Sequence, residues 1–267
     1  MTASAFSTFL TFGLYVLASF SVYQQLRKDG QVSRSLTLVA GLSALIAHVW
    51  FLSSRLITPE GLHLGLFPVT STVAATGVAV VLISSLYRPF EWVSALVYPF
   101  AALTIPAAAF IHTGYMTHPM PMGLGVHVLL SIIAYAVMAL AASQAILLAI
   151  QHRQLKQGHI TGVMRVFPPI QMMEKMLFEA IWVGQILLTL AMLMGVMYVN
   201  NLFAQSLAHK TIITFVAWAV FAVLLAGRHW FGWRGPTAVR FTLVGFAVLV
   251  LGFFGSQLVV EVILNRG

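Results

Sequence analysis

The sequence predicts an all-α, polytopic membrane protein of about eight transmembrane helices, with both termini extracytoplasmic. Three observations carry that prediction. First, 60% of the 267 residues are apolar and 7% are charged, against about 25% charged in soluble domains. With 14 Lys+Arg and 6 Asp+Glu, the chain cannot cover a water-soluble surface. Second, eight apolar runs approach the ~20 residues that a membrane helix needs: 4–24, 35–54, 65–87, 91–111, 123–150, 176–200, 210–228 and 240–262. Third, the basic residues are one-sided. Arg27, Lys28, Arg34, Arg88, Arg153, Lys156, Arg165, Lys175, Arg228, Arg234 and Arg240 follow runs 1, 3, 5 and 7, whereas only Arg55, Lys210 and Arg266 fall on the other side. Eleven against three puts the odd-to-even loops in the cytoplasm.

Taken in order, run 1 reads as a true span. Its leading MTASAFSTF has no positive side chain, and no small-residue cleavage site follows. Run 2 ends at Arg55 and carries His48, and run 3 stops at the tight YRPFE turn around Pro89. Run 4 leads into HTGYMTHPMPMG, an uncharged external loop whose methionines and histidines (Met116, Met120, Met122, His112, His118) form a possible copper(I) donor set. Run 5 passes into the longest and most basic loop, 151–175, where Gly158, Gly162 and Pro168–Pro169 forbid a single helix. The MMEKMLFEAIW stretch after it reads as amphipathic, lying along the inner surface before run 6. Runs 7 and 8 are joined by GRHWFGWRG, with Trp at the membrane boundary. No run alternates as a barrel strand does, and residues 1–267 read as a single transmembrane domain.

Several functions are excluded or disfavoured. Cysteine is absent, which removes disulfides, iron–sulfur clusters and thioether-linked haem from this chain. The net charge of +8 is explained by membrane topology, and nucleic acid is not an expected partner. No carboxylate falls at the middle of a span: Glu261, Glu174, Glu179, Glu91 and Glu60 all sit near span ends or in loops. That argues against an ion-coupled transporter. Without paired carboxylates or a phosphate-cradling loop, an enzyme is not expected.

Histidine is the outlier, with nine residues. At about 1.5 Å per residue, His48 lies roughly 20 Å from the inner boundary and His127 roughly 6 Å below the outer one. Both therefore fall in the outer part of the bilayer, on helices that run in opposite directions. A membrane histidine is either a ligand or a hydrogen-bonded packing residue, and both readings stand. As ligands, His48 and His127 would flank one iron, with helices 2 and 5 facing each other across a pocket. His229, beside Arg228 and Arg234, would form an inner contact for haem or its propionates. His209 and His63 are weaker candidates, and His152 and His159 read as solvated loop residues.

The run GLGVHVLLSIIAYAVMALAASQAILLAIQHRQLK resembles the helix-opening histidine segment of the cytochrome c assembly family of CcsA/CcmC-type proteins. PPIQMMEKMLFEAIWVGQILLTLAMLMGVMY, HKTIITFVAWAVFAVLLAGRHWFGWRG and FTLVGFAVLVLGFFG continue the likeness in order over about 120–258, and the chain is most similar to the eight-helix YpjD-like branch. The resemblance implies a bacterial inner-membrane protein that binds haem b non-covalently and serves haem trafficking or cytochrome c maturation. Its partners would be haem, the lipid bilayer and other maturation or membrane proteins. His127 matches the family's outer-side histidine, and His229 stands near the histidine before the WRG turn. One departure is plain: where the family has a Trp-rich external motif, this chain reads YVNNLFAQSLAHKTI. That bears on external presentation of haem. The alternatives are a non-haem accessory subunit that stabilises a membrane complex, or a small-solute or metal transporter.

Overall fold

Apolar periodicity over so many residues leaves the backbone one low-cost option in lipid, the helix, which satisfies its own N–H and C=O groups. The computed structural model describes residues 2–27, 34–58, 61–88, 90–111, 122–157, 167–198, 205–258 and 261. Among them the long elements are α1 (Thr2–Arg27), α2 (Arg34–Leu56), α3 (Leu66–Tyr87), α4 (Ser94–Phe110), α5 (Met122–Lys156), α6 (Ile170–Tyr198), α7 (Gln205–Phe231) and α8 (Gly235–Val250). Each falls on one of the eight apolar runs. Seven helices are long and apolar enough to cross a membrane. The exception is α4, with 17 residues and two internal prolines, Pro99 and Pro106. A 3₁₀ turn, Glu91–Val93, leads into it. Between α2 and α3 a minimal hairpin pairs Ile57 with Leu62 and Thr58 with Gly61.

The chain divides into two compact units, residues 1–112 with 153–169, and residues 113–152 with 170–267. In the first unit, α1 packs on α2, α2 on α3, α3 on α4, and α4 closes back on α1. The centre of this ring holds Tyr15, Phe51, Val78, Tyr98 and Ile105, none of them exposed. Two arginines tie helix ends together. Arg55 Nη1 donates to the carbonyls of Ala108 and Ala109, 3.3 and 3.1 Å away, satisfying the last turn of α4. Arg34 Nη2 donates to the Ser85 carbonyl near the end of α3.

In the second unit, α7 packs on α6 and α8. Trp218 Nε1 on α7 donates to Thr189 Oγ1 on α6 (2.9 Å), and Gln185 Nε2 returns a bond to the Trp218 carbonyl (3.2 Å). Helix α5 is buried from Ala134 to Leu148 at most positions, and Tyr135 Oη donates to the Leu249 carbonyl of α8 (2.9 Å). Beyond Val250 the helix widens into a π segment, Leu251–Gly255, followed by a last turn, α9 (Ser256–Leu258). Phe253 and Phe254 stand around the Tyr135 ring there, at 5.9 and 5.7 Å.

One expectation is corrected. MMEKMLFEAIW is not a separate surface helix. It forms the first turns of the continuous α6, which begins at Ile170 directly after Pro168–Pro169. The prolines lack the N–H needed inside a helix and set its start. Met173, Glu174, Met176, Leu177 and Phe178 are buried, so the apolar face of this stretch packs in protein rather than on lipid headgroups.

Candidate functional site

His48, on α2, is wholly buried. Its Nδ1 lies 3.0 Å from Tyr15 Oη on α1, and its Nε2 lies 2.8 Å from Ser71 Oγ on α3. Thr104 Oγ1, on α4, lies 3.4 Å from the same Ser71 hydroxyl while donating to Ala101 O at 2.8 Å. One residue before His48, the Ala47 carbonyl accepts from Thr11 Oγ1 at 3.1 Å. The imidazole is therefore hydrogen-bonded at both nitrogens, to a different neighbouring helix at each.

His127 is placed differently. It sits near the start of α5, partly exposed, and its Nδ1 lies 2.7 Å from the carbonyl oxygen of Ala191 on α6. A carbonyl only accepts, so Nδ1 carries the proton and Nε2 keeps the lone pair. Gly195 leaves room for the ring. A Cβ at that position would come within 3.1 Å of the ring's Cε1 and 3.3 Å of Nδ1.

The GRHWFGWRG segment folds tightly. The Trp233 N–H donates to the Gly227 carbonyl (3.2 Å), with Gly232 at φ +66° making the reversal. The Trp233 indole lies against Gly227, where a Cβ would be 2.2 Å from its Cε3, and its ring centre is 4.9 Å from that of Phe241 at a tilt of 35°. Arg228 closes the turn by donating to the Trp233 carbonyl (3.3 Å), with its guanidinium 4.8 Å from the centre of the Phe178 ring. His229 and Arg234 are exposed. Arg228 is thus held within the turn, whereas the two residues with which the sequence grouped it stand exposed.

The remaining histidines are less informative. His63 follows the hairpin, its N–H bonded to the Leu56 carbonyl (2.9 Å). The His209 side chain lies outside the described residues, as do His112, His118, His159 and most of the methionine loop. His152 needs correcting: it is a helical, half-buried residue of α5, not a solvated loop residue. Its Nδ1 bonds the Leu148 carbonyl at 3.0 Å, and its ring faces Gly235. Beside it, the buried Glu174 carboxylate accepts from the Gly235 N–H (2.8 Å), neutralising the positive end of α8. Sequence reading placed Glu174 only at a helix start. It gave no sign of Tyr15, Ser71 or Thr104, polar residues lost among longer apolar runs.

The donor sets can be compared with what a haem iron requires. A ligating imidazole offers one lone pair while its other nitrogen donates to a carbonyl or carboxylate. His127 fits that description. His48 does not, because Tyr15 and Ser71 take both its nitrogens. Among the described residues no three His, Asp or Glu side chains cluster as a metal site.

Comparison with known proteins gives three findings. Residues 36–264 match the family described as Cytochrome C assembly protein. The chain is 32% identical over 260 residues to the Inner membrane protein YpjD of Escherichia coli K12, covering 94% of this chain and 98% of that one. It is 29% identical over 204 residues to the Uncharacterized 28.8 kDa protein in nifR3-like 5'region of Azospirillum brasilense, covering 73% and 74% of the two chains. No solved structure matches.

Proposed function

Because this chain belongs to the cytochrome C assembly protein family, we propose that it binds haem b non-covalently within its helices and serves haem trafficking or cytochrome c maturation. It is a multi-pass membrane protein, with seven helices long and apolar enough to cross. In this reading it is a carrier and not an enzyme, working in the bacterial inner membrane.

The observation that carries the proposal is the setting of His127. The Ala191 carbonyl fixes the tautomer and the ring plane, and Gly195 leaves room for the ring. A lone pair held in one direction at a helix start binds iron with little ordering cost. Bound haem would supply an iron open to axial ligation. The chain's own residues would hold it, keep water from it and orient it. At the other end of the second unit, the exposed His229 and Arg234 remain proposed contacts for propionates or lipid phosphates. Arg228 reaches that role only by leaving the Trp233 carbonyl.

A second reading has a specific observation behind it. His48 is fully satisfied inside protein, and the Trp-rich external motif is missing. A bundle of that kind suits an accessory subunit that stabilises a membrane complex without haem. An absorption spectrum of detergent-purified protein, made with haem in excess, separates the two. A Soret band with sharp reduced α and β bands is the expected result. A flat spectrum in that region would leave the accessory reading.

A further inference from the structure

His48 has surroundings that point away from ligation and toward another role. Four helices of the first unit meet at one connected set of polar side chains: Tyr15 from α1, His48 from α2, Ser71 from α3 and Thr104 from α4. A neutral imidazole has one N–H and one lone pair. Tyr15 and Ser71 therefore cannot play the same part: one donates to the ring and the other accepts from it. A phenol is the stronger donor and the weaker acceptor, so Tyr15 donates to Nδ1 and Nε2–H donates to Ser71 Oγ. Apolar packing alone lets membrane helices slide and rotate, since lipid is as apolar as the helix surface. A ring hydrogen-bonded to both neighbouring helices fixes that rotation. Its setting is closed as well: the His48 ring centre is 5.4 Å from that of Tyr15 and 6.3 Å from that of Phe51.

We propose that His48 is the hydrogen-bond hub that sets the packing of α1, α2, α3 and α4, and that it is not an iron ligand. The second half of this statement rests on the haem reading above; the first half does not.

Thermal unfolding and haem absorption, measured on the full-length purified protein, test the two halves separately. The variants are Tyr15→Phe, Ser71→Ala, their double, His48→Gln, His48→Leu, and Tyr15→Phe and Ser71→Ala each in the His48→Leu background. Each single partner change should lower Tm by a few degrees. In the His48→Leu background the same changes should add little, since their partner is gone. Equal losses with and without His48 would overturn the hub. Should His48→Leu fail to fold, the hub is judged on Tyr15→Phe and Ser71→Ala with His48 present. Their losses should be coupled through the shared ring, so a strictly additive double would overturn it.

The Soret band should keep its position and intensity in Ser71→Ala, Tyr15→Phe and His48→Gln. A band that shifts or vanishes in His48→Gln at unchanged Tm would make His48 a ligand. So would a gain in haem retention when Tyr15→Phe releases the Nδ1 lone pair. If the wild-type protein takes up no haem at all, the haem reading fails, and the unfolding cycle alone still decides the hub.

Discussion

At position 195 any side chain would meet the His127 ring, and this glycine is therefore as informative as the histidine. Gly195→Val should push the imidazole off the Ala191 carbonyl while leaving His127 in place. Haem content of the purified variant should fall at least several-fold. His127→Ala should abolish the Soret band outright. Retention of a wild-type spectrum by His127→Ala would remove His127 from the site. Part of this was legible beforehand. A histidine opening a long apolar run stands out by type alone. Its partners did not, because Ala191 contributes only a backbone oxygen and lies 64 positions away. The same holds for His48. The residue was visible, but the choice between ligand and packing residue depended on Tyr15 and Ser71, and spacing carries no record of partners from other helices.

Among the elements, the α7–α8 turn is the most tightly specified. Gly227 accepts the indole face of Trp233, so Gly227→Ala sets a methyl against ring atoms that cannot bend away. Overpacking of this kind costs about 1–3 kcal/mol, or roughly 2–4 °C in Tm per kcal/mol in a chain of this size. The expected readouts are that loss in thermal unfolding and a red shift in tryptophan emission as Trp233 becomes wetter. A variant with unchanged Tm and emission would mean the turn does not depend on this contact. Apolar length revealed all eight helices, since lipid admits few alternatives. It misjudged the start of α6, where burial in protein and burial at a membrane surface leave the same amphipathic signature.

For the whole molecule, the orientation depends on whether α4 crosses the bilayer. Its 17 residues span about 26 Å at 1.5 Å each. The preceding 3₁₀ turn adds roughly 6 Å at about 2 Å per residue. Together they reach the ~30 Å of a hydrocarbon core; with α4 crossing, the number of crossings is even and the termini fall on one side. Reporter fusions at Gly267 should behave as periplasmic, as the eleven-to-three division of basic residues requires. A cytoplasmic signal would mean that one helix, α4 first among them, does not cross. The π segment at Leu251–Gly255 also governs where Gln257 points. Each residue advances an α-helix by about 100°, and a π turn accommodates one residue more than an α turn. That extra residue offsets the phase of the turn that follows, Ser256–Leu258. It brings Gln257 round to accept from Lys210 Nζ at 2.8 Å and to donate in turn to Glu261. The widened turn thus acts as a phase setter: a one-residue deletion there would preserve the helix, yet swing its end through roughly a quarter-circle and part Gln257 from the Lys210 ammonium.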